Sequence, residues 1–176
     1  LTGLSGEKPI LFVMGGSQGS QPINEIVAKK LSELMEICDI LHITGLGKTA
    51  HLPVITDHYF RTDFAADILP DLYACASLAL TRAGAGSIAE LEANNIPTIL
   101  VPLRSVGHDH QYKNAIAASQ NPLFDVVEQS SLHKELVAAV RAILASPPRP
   151  ESAKNDAARQ IAEILLQTLA DTAAHQ

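Results

Sequence analysis

PILFVMGG, residues Pro9–Gly16, is a short apolar run that ends in two glycines. An unbroken apolar run of this length is typical of a strand covered on both faces, as in the centre of a parallel sheet. Pro22 then suits the first turn of a helix, and apolar residues recur at helical spacing beyond it. The pattern predicts one amphipathic helix from Pro22 to about Cys38.

The alternation of strands and helices continues along the chain. Further strands are predicted at DILHIT, SLALT, PTILVPL and LFDVV, with a short one near His58–Arg61. Helices are predicted across ILPDLYACA, from Ser87, from about His110, from Ser131 to about Ala145 and, after SPPRPES, from Ala153 to about Ala173. This order predicts an α/β fold with a doubly wound parallel sheet of the Rossmann-like type.

The composition restricts the classes of function. The formal net charge is −6 and no basic run occurs, so no non-specific nucleic-acid surface is expected. No apolar run approaches the roughly 20 residues of a membrane-spanning helix, and no signal-peptide pattern is visible in these residues. Cys38 and Cys75 each lie among apolar neighbours, which predicts two buried, reduced thiols. We therefore expect a soluble, globular, cytosolic protein.

Three loops follow predicted strands at the edge where ligands bind in such sheets. They are GGSQGSQ (Gly15–Gln21), RAGAGS (Arg82–Ser87) and RSVGHDHQ (Arg104–Gln111). Small residues in the first two let the backbone approach a ligand, and each following helix offers unpaired N–H groups to a phosphate. The two loops together predict a nucleotide site, although GGSQGS alone is equally compatible with a tight strand-to-helix turn.

Ser87 and Glu90 allow two interpretations. Their S-x-x-E spacing is that of a capping box, and the spacing alone favours this structural role. Beside a phosphate pocket, however, the carboxylate is also well placed to accept hydrogen bonds from both hydroxyls of a ribose. Arg82 is equally suited to a phosphate and to a carboxylate of a neighbouring loop.

The third loop contains His108, Asp109, His110 and Gln111. The H-x-H pair lacks a third well-spaced ligand, so hydrogen bonding to a hydroxylated ligand is the better interpretation, and no metal or other cofactor is expected. No catalytic Ser/His/Asp or Cys/His arrangement occurs. Five other histidines have no partner pattern and are predicted at the surface or the edge of the core: His42, His51, His58, His133 and His175.

Three motifs occur in a specific order: GGSQG, R-x-G-A-x-S-x-x-E-L and HQ-x-x-NA. The chain resembles the carboxyl-terminal, donor-binding half of enzymes of the MurG family. Three stretches carry this resemblance: ILFVMGGSQGSQPINEIV, LPDLYACASLALTRAGAGSIAELEANNIPTILVPL and DHQYKNA. This resemblance runs from about Pro9 to about Glu163. It implies one half of a GT-B type glycosyltransferase, which transfers GlcNAc from UDP-GlcNAc to the C4 hydroxyl of lipid I, with inversion and without a metal, giving lipid II in peptidoglycan synthesis.

The resemblance also implies donor-binding roles. Ser17 would contact the donor phosphate, and Glu90 the ribose hydroxyls. The diphosphate would be held by the start of one helix, formed by Ala85, Gly86, Ser87, Ile88, Ala89 and Glu90.

The sugar and the base would be bound elsewhere. Gln111, helped by His110, would contact the GlcNAc hydroxyls. Ala65, which follows Phe64, would offer main-chain contacts to uracil, although the family usually has a larger apolar residue at this position.

The family's amino-terminal domain, which carries the acceptor loops, the general base and a membrane-facing patch, has no counterpart in this sequence. Residues 1–8 would be a linker remnant, residues 9–150 the UDP-GlcNAc-binding domain, and residues 151–176 a helix that packs on the amino-terminal domain. The chain is expected to bind the donor without catalysing transfer, and to have no catalytic residue. Lipid I and the cytoplasmic face of the bacterial plasma membrane would be reached through the other domain.

Two alternatives remain open. The chain would also fit a small donor-binding subunit of a split glycosyltransferase. It would equally fit a non-catalytic module that binds a nucleotide sugar.

Overall fold

The computed structural model describes residues 2–4, 6–16, 18–49, 52–104 and 109–146. In these ranges six parallel strands form one sheet in the order β3-β2-β1-β4-β5-β6. The strands are β1 (Ile10–Met14), β2 (Asp39–Ile43), β3 (Tyr59–Thr62), β4 (Leu78–Thr81), β5 (Thr98–Leu100) and β6 (Phe124–Val126). This order is that of a doubly wound Rossmann-like sheet, so the predicted fold class is confirmed.

Helices cover both faces of the sheet. They are α1 (Gln21–Lys29), α2 (Leu31–Met35), α3 (Leu69–Cys75), α4 (Ala85–Ala93), α5 (His110–Ala118) and α6 (Leu132–Ala145), and a 3₁₀ turn (Ala66–Ile68) precedes α3. Leu11 and Val13 of β1 share a core with α1, α2 and α6. Phe12 and Met14 share the opposite core with α3, α4 and α5. Successive β1 side chains thus alternate between two cores, because a central strand is buried on both faces.

The helix predicted from Pro22 to about Cys38 is divided in two. The break lies at Lys30, whose φ of −100° and ψ of 5° end α1, and whose N–H bonds to the carbonyls of both Ile26 and Val27. Buried apolar residues continue from α1 into α2 at helical spacing. The periodicity therefore identified the buried face correctly but could not show the local turn.

Two predictions fall partly or wholly outside the described ranges. The final helix, Ala153 to about Ala173, lies outside them, as does most of the segment SPPRPES.

No described helix has the length and apolar character needed to cross a membrane.

Both cysteines are free thiols. Cys38 is buried as predicted, and burial raises the pKa of its thiol to about 12. The predicted burial of Cys75 is wrong, because this residue is the last of α3 and is exposed, whereas Leu72 and Tyr73 form the buried side of that helix.

His42 is buried at the centre of β2, so its predicted position at the surface or the edge of the core is also wrong. Its Nε2 lies 3.0 Å from Asn24 Oδ1, and its Nδ1 lies 3.0 Å from the Tyr59 hydroxyl. The Asn24 amide donates to the Thr44 carbonyl at 3.0 Å, which leaves its Oδ1 as the acceptor. His42 therefore carries its proton on Nε2 and accepts from Tyr59, and this network joins α1, β2 and β3.

This network predicts a pH-dependent stability. Burial lowers the pKa of His42 from 6.5 to about 3, so between these values the unfolded chain binds a proton on this imidazole that the folded chain excludes. The contribution of His42 to the free energy of unfolding should fall by up to about 1.4 kcal/mol for each pH unit below pH ~6.5. Urea unfolding of the native chain and of His42→Gln, which does not titrate, measures this contribution to the free energy of unfolding.

At pH 7 we expect His42→Gln to be the less stable protein. The difference in stability should shrink as the pH falls to 5, because only the native chain loses the histidine contribution. A difference that stays constant from pH 7 to pH 5 would contradict a buried, neutral His42.

Candidate functional site

A cleft of about 790 Å³ opens beyond the carboxyl ends of β1, β4 and β5. It lies where β1 adjoins β4, which is the point at which the strand order reverses direction. Ligands bind at this switch point in doubly wound sheets. Each of the three predicted loops contributes to the lining of the cleft, for example through Gly16, Gly84 and Gln111. The structure therefore brings those loops together.

The glycines of the first loop are required by the fold. A Cβ on Gly19 would lie 2.1 Å from the Thr44 carbonyl oxygen, and Gly19 also has a φ of +68°. A Cβ on Gly15 would lie 2.1 Å from the Ser20 nitrogen. The tight-turn interpretation is therefore correct for Gly15 and Gly19, because the chain itself occupies the space that their side chains would fill.

The glycines of the second loop differ. Gly84 has a φ of −73° and a ψ of 139°, which any residue adopts, and its Cβ would meet only Ser87 Oγ, at 3.8 Å. A Cβ on Gly86 would meet no atom within 4 Å, even though glycine inside a helix costs about 1 kcal/mol relative to alanine. Both line the cleft, and neither the backbone nor the described neighbours require them. The open space beside them is available to a ligand.

The capping-box interpretation of Ser87 and Glu90 is wrong. The Ile88 N–H bonds to the Gly84 carbonyl at 3.0 Å, so α4 begins at Ala85 with Gly84 as its N-cap, and Ser87 is the third helical residue. Glu90 lies in the second turn, where its side chain does not cap the helix.

Glu90 instead accepts a hydrogen bond from Tyr73. The Tyr73 hydroxyl donates to Glu90 Oε2 at 2.6 Å. Tyr73 is buried and packs edge-to-face on Phe12, with ring centroids 5.5 Å apart. Burial, together with the hydrogen bond to Glu90 and its charge, raises the pKa of Tyr73 far above its usual value, which keeps the phenol a donor. No sequence pattern indicates this contact, because Tyr73 precedes β4 and Glu90 follows it.

Arg82 is used to hold the loops together. Its Nε and Nη2 donate to Ser20 Oγ at 3.1 and 2.8 Å, its Nη1 to the Val101 carbonyl at 3.1 Å, and its Nη2 to Gln129 Oε1 at 2.5 Å. Burial of the guanidinium lowers its pKa. Among the described residues its partners are thus a hydroxyl, a carbonyl and an amide, so of the two alternatives for Arg82 the pairing with a carboxylate is not found.

Lys48 enters the cleft from the segment after β2. Its Nζ donates to the carbonyls of Gln18 and Gly19 at 2.6 and 3.0 Å. Lys48 could not be identified from the sequence, because its segment has no periodicity and approaches the first loop only in the folded chain. Lys48 and Arg82 both contact the first loop and give the cleft beside it a positive charge that suits an anion.

The Glycosyltransferase family 28 C-terminal domain profile matches residues 10–169 of the chain. The chain belongs to this family. Two curated relatives are N-acetylglucosamine transferases named for UDP-N-acetylglucosamine and N-acetylmuramyl-(pentapeptide) pyrophosphoryl-undecaprenol. The Oceanobacillus iheyensis protein is 32% identical over 136 residues, covering 77% of this chain and 38% of the relative. The Clostridium novyi protein is 37% identical over 131 residues, covering 74% and 37%.

Solved structures agree with this family. The crystal structure of Acinetobacter baumannii MurG matches with a TM-score of 0.65 and 26% identity, over 80% of this chain and 42% of that chain. The calicheamicin glycosyltransferase CalG4 shares the fold, with a TM-score of 0.60 at 18% identity, over 92% of this chain and 38% of that chain. The resemblance to MurG and the GT-B type of fold are confirmed. The chain spans about two fifths of the length of these MurG relatives.

In this family 28 domain α5, which follows the third loop, is joined to the second loop. The Leu103 N–H donates to Gln111 Oε1 at 3.0 Å, which fixes a side chain that lines the cleft. The Asn114 amide donates to the Ala83 carbonyl at 3.1 Å, and the adjacent Ala115 is buried. The second half of the HQ-x-x-NA motif therefore attaches α5 to the RAGAG loop.

The structure separates the predicted site residues of the family 28 domain into groups. Gly86, Ser87, Glu90 and Gln111 line the cleft together. Three other predicted site residues lie in α4 but do not line the cleft: Ala85, Ile88 and Ala89.

Ala65 belongs to the core formed with α3, α4 and α5, while Phe64 is exposed, and neither lines the cleft. Ser17 and His108 lie outside the described residues. In the part of the chain that the structure describes, no cluster of three or more His, Cys, Asp or Glu residues is arranged to hold a metal ion.

Proposed function

We propose that this chain is the donor-binding domain of an inverting transferase that moves GlcNAc from UDP-GlcNAc to lipid I, forming lipid II in peptidoglycan synthesis. The observation that carries the proposal is the start of α4 in the cleft. Two glycines that the fold does not require lie at this helix end, and the carboxylate of Glu90 lies one turn beyond them. The names of the curated relatives support the donor and the acceptor.

The diphosphate is assigned to the helix start. The first N–H groups of a helix have no intrahelical partner, and the helix dipole favours an anion there. Gly86 and Ser87 leave room for the phosphates, Lys48 supplies a positive charge from beside the first loop, and Ser17 is the proposed contact in that loop.

The remaining parts of the donor are assigned to three positions. Glu90, exposed in the cleft, accepts hydrogen bonds from the ribose hydroxyls. Gln111, with His110 beside it, contacts the GlcNAc hydroxyls. Ala65 offers its main chain to uracil. The length of the full MurG relatives supports placing acceptor binding and proton abstraction in another part of a complete enzyme.

Residues 9–150 are proposed as the donor-binding domain and residues 151–176 as a helix that packs on the acceptor domain. We assign no catalytic residue to this chain, since inverting transfer requires a base beside a bound acceptor hydroxyl. The complete enzyme is proposed to act as a peripheral protein at the cytoplasmic face of the bacterial plasma membrane. A split glycosyltransferase would share donor binding and differ in the subunit that supplies the acceptor site.

A bulky side chain at Gly84 tests the proposal. Gly84→Val should fold, since its backbone angles suit valine and no described atom outside its chain neighbours lies closer than 3.8 Å to the new Cβ. Calorimetric titration should show UDP-GlcNAc binding by the native chain and an affinity at least about tenfold lower for the variant, because the side chain fills space assigned to the diphosphate.

Ala93→Val is the matched control. It places the same side chain at the far, exposed end of α4, and should leave the affinity unchanged. Native affinity in a folded Gly84→Val protein would contradict this location for the donor.

A further inference from the structure

The hydrogen bond from Tyr73 holds the carboxylate of Glu90, which is the acceptor, in one orientation. Tyr73 is 6% exposed, and its hydroxyl donates to Glu90 Oε2 at 2.6 Å. Its ring is held in turn by the edge-to-face contact with Phe12, whose side chain is 1% exposed. The buried hydroxyl of Tyr73 thus donates to the Glu90 carboxylate, which lies at the rim of the cleft.

Glu90 itself has no comparable packing, since it lies on the exposed side of α4. A solvent-exposed glutamate samples many rotamers, and fixing it on ligand binding costs conformational entropy. The hydrogen bond to Tyr73 selects one orientation before the ligand arrives. In that orientation the second oxygen, Oε1, has no hydrogen-bond partner among the described residues.

We propose that Tyr73 is a positioning residue that orients Glu90 toward the ribose diol and thereby makes the cleft selective for ribonucleotides over 2′-deoxyribonucleotides. This inference rests on the proposed function, because it takes the ligand to be a uridine diphosphate compound. Tyr73 touches no part of the ligand in this account, and its whole effect passes through the carboxylate.

The test compares two ligands and two proteins. Uridine diphosphate (UDP) and 2′-deoxyuridine diphosphate (dUDP) are titrated calorimetrically into the native chain and into Tyr73→Phe, which keeps the ring and removes only the hydroxyl. The native chain should bind UDP more tightly than dUDP. Tyr73→Phe should weaken UDP binding about three- to tenfold, because the carboxylate is no longer preorganised, and should change dUDP binding less than about twofold.

Two controls make the outcome specific. Tyr112→Phe removes a phenol whose ring lies under Arg104, 3.8 Å from the guanidinium carbon, and should keep the native ratio of UDP to dUDP affinity. In a Glu90→Ala background, Tyr73→Phe should have no further effect on UDP binding, because the two residues act as one unit.

Each other outcome overturns the inference. If Tyr73→Phe binds UDP like the native chain, or weakens UDP and dUDP equally, Tyr73 does not orient Glu90 for the ribose, while the proposed donor site stands. An effect of Tyr73→Phe that persists in Glu90→Ala has the same meaning. If the native chain binds neither nucleotide, the proposed function fails and this inference fails with it.

Discussion

Replacing Gly19 with alanine is expected to lower the free energy of unfolding by about 2–5 kcal/mol. Gly19 has a φ of +68°, which is strained for alanine, and the added Cβ would lie 2.1 Å from the Thr44 carbonyl oxygen. Either the first loop or the end of β2 must then move. Urea unfolding monitored by circular dichroism measures the change.

Gly84→Ala is the matched control for this substitution. It adds the same methyl group in the same cleft, but at a residue with a φ of −73° and with only Ser87 Oγ nearby, at 3.8 Å. Its stability should stay within about 1 kcal/mol of the native value. Equal stability of the two variants would show that the first loop does not pack on β2 as described.

Replacing Glu90 with alanine is expected to reduce UDP-GlcNAc affinity about ten- to a hundredfold, or about 1.5–3 kcal/mol. The physical reason is the loss of a charged acceptor for two ribose hydroxyls. Because the ribose is common to both donors, UDP-GlcNAc and UDP-glucose should lose affinity by the same factor. Calorimetric titration gives both values, and thermal melts show whether the variant is folded.

Glu135→Ala is the control for removal of one negative charge. Glu135 is exposed in the first turn of α6, on the face of the sheet opposite α4, so its loss should leave donor affinity unchanged. If Glu90→Ala binds UDP-GlcNAc as tightly as Glu135→Ala does, the ribose is bound elsewhere.

Much of the fold could be predicted from the sequence because its signals are local. The apolar run that forms β1 and the helical periodicity after Pro22 depend on residues close together in the chain. The break at Lys30 was missed because buried residues keep their spacing across it. The exposure of Cys75 was missed because the side on which α3 packs is decided by the sheet and not by neighbours in sequence.

The site was only partly predictable for the same reason. The three loops could be placed in one cleft, since parallel strands end at a common edge. The roles of Tyr73 and Lys48 depend on contacts between distant segments. The spacing of Ser87 and Glu90 is the same whether α4 begins at Ser87 or at Ala85, so the sequence could not exclude a capping box.

The most direct test of the account is a nuclear magnetic resonance titration of the ¹⁵N-labelled chain with UDP-GlcNAc. We expect the largest amide shifts in residues 84–90, at Gly19 and in the side-chain amide of Gln111, with α6 unaffected. Saturating ligand that shifts none of these signals, or that shifts only residues away from the carboxyl ends of β1, β4 and β5, would contradict it.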